Sequence, residues 1–135
     1  MNNETPKVRE IVLVGAGHSH ILFLRKWGMH PLPGVQVTLI SPAPKTAYTG
    51  MLPGYIAGHY TKDQISVDLV KLCRFAQVNF VIGSVDKLSA ANRLVNVKGR
   101  TTISYDVLSI DVGVTSCPNF PVAKTAPVAS VKPFE

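Results

Sequence analysis

The residues best suited to chemistry stand together near the amino terminus, in Gly15-Ala16-Gly17-His18-Ser19-His20. The first glycine permits a tight turn, and the second lets the main chain come close to a bound group. Where such a turn opens a helix, unpaired amides and the positive end of the helix dipole face that group together, which suits a pyrophosphate. Ser19 adds a hydroxyl and an amide within reach of phosphate oxygens. The usual third glycine, which lets helix and strand pack closely, is His20 here. A turn with a purely structural role stays open as the alternative. A nucleophilic serine would need the strained G-x-S-x-G elbow, and Gly17-His18-Ser19-His20-Ile21 lacks its second glycine. His18 and His20 do not share a face near a helix start, so no metal site is expected.

A ribose normally meets an acidic residue about 20 positions further on. That residue is absent, and the second apolar run ends at Ile40-Ser41-Pro42. Ser41 could bond a ribose hydroxyl as a neutral group, or simply begin a turn.

These residues require particular elements behind them. Val8 to Val14 ends in four consecutive apolar residues, as a buried parallel strand does. From Ser19 to about Met29, Ile21, Phe23, Leu24 and Trp27 recur at helical spacing, and Gly28, His30 and Pro31-Leu32-Pro33-Gly34 are read as the stop. Val35 to Ile40 is a second strand, completing a βαβ unit. Residues 41 to about 64 read as a long irregular stretch, too apolar for a solvated linker. Ser66 is read as the cap of a second helix, with Asp68 in its first turn. Val78 to Ile82 is a third buried strand. Four short β segments follow, Ser84–Leu88, Leu94–Val97, Thr101–Ser104 and Val107–Ile110, and are expected to form an antiparallel meander.

Composition narrows the classes. The 135 residues are 46% apolar and 16% charged, which is a globular balance. The net charge of +6 is scattered along the chain without a basic run or interleaved aromatics, so no nucleic-acid partner is expected. No apolar run approaches the roughly 20 residues of a membrane span, and a cytoplasmic location is the default. Cys73 and Cys117 form no C-x-x-C and no disulfide framework.

Val12-Leu13-Val14-Gly15-Ala16-Gly17-His18-Ser19-His20 resembles the opening of the pyridine nucleotide-disulfide oxidoreductases. The nearest branch is NADH dehydrogenase-like and includes flavoproteins fused to selenide, water dikinase. Three more segments share the resemblance: Tyr48-Thr49-Gly50-Met51-Leu52-Pro53-Gly54-Tyr55-Ile56-Ala57-Gly58, Gly83-Ser84-Val85-Asp86, and Tyr105-Asp106-Val107-Leu108-Ser109-Ile110-Asp111-Val112-Gly113. The resemblance implies an α/β, Rossmann-like FAD-binding domain: a parallel sheet flanked by helices, with an antiparallel β-meander. It implies that Gly15, Gly17, His18 and Ser19 hold the pyrophosphate, Ser41 and Pro42 the ribose, and Val85 the adenine. Gly50, Met51 and Leu52 would lie near the flavin ring, with Asp111 and Gly113 beside the cofactor. For the loop at 48–58, simple coverage of the sheet remains the alternative. Asp111 stands where the family pattern often has a small residue.

The family's flavin domain is discontinuous and is interrupted by a NAD(P)H domain. The resemblance therefore implies that residues 1–113 form the first half of a FAD-binding domain, incomplete relative to the family, and that 114–135 form a linker towards the NAD(P)H domain. The full-length protein would pass a hydride from NAD(P)H to FAD and on to a quinone or other small acceptor. No catalytic residue is visible in this stretch, which is expected to be inactive alone. Uncovered apolar surface predicts a self-associating domain, a dimer, that binds FAD weakly or not at all. A non-catalytic nucleotide-binding module attached to a selenide, water dikinase or another partner is the alternative.

Overall fold

The computed structural model describes residues 8–113. These divide into two compact units, one of residues 8–46 and 68–112, the other of 47–67 with Gly113. The expected linker at 114–135 and Cys117 lie outside the described residues.

The first unit begins with β1 (Arg9–Val14), α1 (His18–Met29) and β2 (Val35–Ser41). Val12, Leu13 and Val14 are buried, as are Val37, Leu39 and Ile40, so both strands are covered on both faces. They pair in parallel with Val12 opposite Thr38 and Val14 opposite Ile40. The chain leaves the unit along β3 (Lys45–Ala47). In the second unit a 3-10 turn at Thr49–Met51 leads into α2 (Leu52–Ile56), and the chain returns along β4 (Ser66–Asp68). The stretch expected to be irregular therefore contains regular structure. Pro53 falls in the first turn of α2, where a missing amide costs nothing.

Asp68, not Ser66, caps the next helix, α3 (Leu69–Ala76), by accepting a 3.0 Å bond from the Lys71 amide. The predicted cap is two residues early because Ser66 belongs to β4 and its hydroxyl donates to the Lys62 carbonyl. Leu69, Cys73 and Ala76 share the buried face of α3, and His20, Leu24 and Trp27 that of α1. Gly28 does not stop α1 but lies inside it. A Cβ there would overlap the Phe75 ring, so the glycine is what lets α1 and α3 pack closely.

β5 (Asn79–Ile82) joins β2 in parallel, and then β6 (Val85–Ser89), β7 (Leu94–Val97) and β8 (Thr102–Ser104) form an antiparallel sheet of their own. β9 (Val107–Ile110) departs from the expected four-stranded meander. It joins the parallel sheet beside β1, with Val12 opposite Leu108, and the strand order is β5-β2-β1-β9. Asp106 makes the transfer. Its amide donates to the Glu10 carbonyl at 2.8 Å, and its carboxylate accepts from the Glu10 amide at 2.9 Å and faces Arg9 at 3.3 Å.

The three-stranded sheet covers one face of the parallel sheet. Val95 and Val97 pack with Val12, Val14 and Ile40, joined by Val81, Val85, Ile103, Tyr105 and Leu108. By strand alternation Leu13, Val37 and Leu39 point to the opposite face. The helices α1 and α3 pack on each other and flank the sheet.

Candidate functional site

The strand order reverses at β1: β2 and β5 lie on one side, while β9 arrives on the other from the far end of the described chain. In open α/β sheets ligands bind at such a switch point, outside the carboxyl ends of the strands. Gly15-Ala16-Gly17 occupies that position, between the end of β1 and the start of α1.

Two bonds suspend the turn. The Gly15 amide donates to the Ile40 carbonyl at 2.8 Å, and the Gly17 amide donates to the Asp111 carbonyl at 3.1 Å. Gly15 has φ +89°, and a Cβ there would run into the Asp111 carbonyl and lie 2.8 Å from the Val112 Cα. Both its backbone angle and its neighbours therefore demand glycine. Gly17 has φ −71° and is not strained. The Asp111 carboxyl group packs where a Cβ of Gly17 would sit, so any larger residue there would displace that side chain. Each glycine is thus already accounted for by packing against the residue that follows β9.

His20 is buried, at 3% exposure, beneath the turn. Its Nδ1 lies 2.7 Å from the Gly15 carbonyl and its Nε2 2.8 Å from the Ser109 hydroxyl. A carbonyl can only accept, so Nδ1 carries a proton towards it, while Nε2 is paired with the Ser109 hydroxyl. The ring is a strut between α1 and β9 where the usual pattern has glycine. Ala16 and Gly17 are half-buried, while His18 and Ser19 are exposed. The amides of Ala16 and Ser19 meet no acceptor among the described residues. The His20 amide donates to Asp111 Oδ2 at 3.2 Å.

Gly15, Gly17, His18, Ser19 and Asp111 therefore come together at one corner. Ser41 lies one residue past the Ile40 carbonyl that holds Gly15. It is buried, its carbonyl accepts from the Gly83 amide, and its hydroxyl bonds to no described residue. Pro42 follows it and is exposed. Val85 begins β6, packs against the core cluster that holds Val12, Val14 and Ile40, and pairs with Val97. Gly50, Met51, Leu52 and Gly113 belong to the second unit. Gly50 and Met51 form the 3-10 turn, and Leu52, buried, starts α2. Gly113 has φ +72°.

Ser109 was not anticipated as part of the site. Only its position two residues before Asp111, on a strand adjoining the glycine turn, could have singled it out. No group of three or more His, Cys, Asp or Glu able to hold a metal occurs among the described residues. Cys73 is buried in α3, and burial pushes its thiol up to about 11, so it offers no thiolate at neutral pH. Among the described residues no helix is long and apolar enough to cross a membrane.

The same arrangement recurs in solved proteins. Sulfide:quinone oxidoreductase from Aquifex aeolicus superposes with a TM-score of 0.67 at 25% identity, over 78% of this chain and 24% of that one. This is the fold of the pyridine nucleotide-disulfide oxidoreductases. NDH2 from Plasmodium falciparum, solved in complex with NADH, shares this fold over 82% of the chain and 23% of its own, with TM-score 0.67 and 19% identity. A water-forming NADH oxidase from Lactobacillus brevis, bound to NADH, shares it over 84% and 27%, with TM-score 0.66 and 20% identity. The chain spans about a quarter of the length of these proteins. No protein-family profile and no curated protein matches the sequence.

Proposed function

We propose that this chain is the FAD-binding portion of a NAD(P)H-dependent flavin oxidoreductase. The observation that carries the reading is the Gly15–Gly17 turn, set at the carboxyl end of β1 where the strand order reverses, with α1 starting from it. The amides of Ala16 and Ser19 and the amino end of α1 suit a diphosphate. In this reading Gly15, Gly17, His18 and Ser19 line that group, Ser41 and Pro42 meet the ribose, and the Val85 main chain meets the adenine. Gly50, Met51 and Leu52 lie near the flavin ring, and Asp111 and Gly113 stand beside the cofactor. When bound, the flavin supplies the hydride chemistry, and the protein supplies position and electrostatics. The sequence has no C-x-x-C, which favours a quinone or another small oxidant over an active-site disulfide as the acceptor.

Thermal melting of the purified chain with FAD, ADP and FMN tests this. FAD and ADP share the adenosine diphosphate and should both raise the midpoint, whereas FMN should not. Ligand at 100 times its dissociation constant adds about 2.7 kcal/mol. Gly17→Val should abolish the response. A response to ADP with none to FAD would favour a nucleotide-binding module attached to a partner such as a selenide, water dikinase. No response to either nucleotide removes the reading.

The isolated chain should also self-associate. Val107 and Ile110 are exposed on β9 and Val112 just past its end, and β9 among the described residues pairs only with β1; such edges invite further pairing. Sedimentation analysis showing only monomer at tens of micromolar would reject this.

A further inference from the structure

We propose that Asp111 limits how tightly the site holds an anionic dinucleotide, because its carboxylate already occupies the amino end of α1. The inference rests on the dinucleotide reading and names the residue that sets the strength of binding.

Four observations support it. First, α1 has no other side-chain cap: Gly17 is the N-cap residue, and no acidic residue falls in the first turn. Second, the Asp111 carboxyl group fills the space beside the Gly17 Cα, and Oδ2 accepts from the His20 amide at 3.2 Å. Asp111 therefore supplies, from 91 residues away, the negative charge that the helix dipole favours. Third, no cation partners this carboxylate among the described residues. Fourth, its main chain cannot retreat. The Asp111 amide donates to the Val14 carbonyl at 2.8 Å and its carbonyl accepts from Gly17.

A diphosphate approaching the Ala16 and Ser19 amides thus meets a like charge at the same helix end. Either the two anions share the dipole and repel, or the half-buried side chain turns out to solvent and gives up the His20 amide. Both routes weaken binding, and both depend on the charge. A neutral asparagine keeps an oxygen for the His20 amide and removes the repulsion.

The test compares the unmodified chain with Asp111→Asn and Asp111→Ala by calorimetric titration with ADP, FAD and adenosine. The expected result is an affinity for ADP and FAD about tenfold higher in Asp111→Asn, as removal of a like charge a few ångströms away allows. Adenosine, which carries no phosphate, should bind all three proteins alike. Melting curves without ligand check that each variant is folded, and Asp111→Ala provides a second charge-free protein should one variant fail. Binding by the variants alone would also support the proposal. Equal or weaker ADP binding by folded variants, beside a binding parent chain, overturns the inference and leaves the dinucleotide reading standing. Absence of ADP and FAD binding in every protein overturns both.

Discussion

The two ends of β9 are each closed by an aspartate that accepts from a main-chain amide, yet the two carboxylates live in different surroundings. At the amino end Asp106 takes the Glu10 amide and faces Arg9. At the carboxyl end Asp111 takes the His20 amide and faces a helix terminus, with no cation beside it among the described residues. Asp106 fixes the register of one strand against another, which is complete in itself. Asp111 stands over the turn where the ligand is expected. A carboxylate balanced by a guanidinium reads as structure, and one balanced only by peptide dipoles is open to competition from another anion.

The largest expected break in this comparison comes from the turn at the carboxyl end. Gly15→Val should cost at least about 3 kcal/mol or prevent folding, because a side chain at φ +89° would also meet the main chain of Asp111 and Val112. Denaturant unfolding would show it, and a midpoint equal to that of the parent chain would contradict the structure. At the other end, Asp106→Ala should cost about 1–3 kcal/mol by leaving the Glu10 amide without its acceptor. It should not change relative ADP binding once folded. An affinity change as large as that of Asp111→Asn would erase the distinction between the two ends. Smallest of all, Arg9→Ala should cost less than about 1 kcal/mol, since the Arg9 side chain is 62% exposed and its ion pair is screened. A larger loss would mean that Arg9, not the amide, is the main partner of Asp106.

Much of this arrangement was legible in the residues, for a physical reason. β1 and β2 are buried on both faces, so their apolar runs are continuous and stand out. The glycine turn is recognisable because its two glycines sit at a fixed spacing after such a run. β9 was misplaced because it lies at the sheet's edge, with Val107 and Ile110 exposed. Its four residues carry the same short pattern as the neighbouring antiparallel strands, and its partner β1 lies almost a hundred residues earlier. The cap of α3 was misread because Ser66 and Asp68 are both good caps, and only the pairing of the preceding segment decides between them. Gly28 looked like a helix stop because the Phe75 ring that requires it arrives from another helix. The placement of Asp111 against Gly17 had no local signal at all, being made by two segments distant in sequence.

The imidazole beneath the turn has one more consequence, for anyone tempted to restore the common motif by engineering. His20→Gly would bring back the usual third glycine yet leave a hole the size of a five-membered ring. The Gly15 carbonyl and the Ser109 hydroxyl would both lose their partner inside it. In this protein the odd residue has become the spacer around which its neighbours are fitted, so the textual improvement would be a mechanical injury.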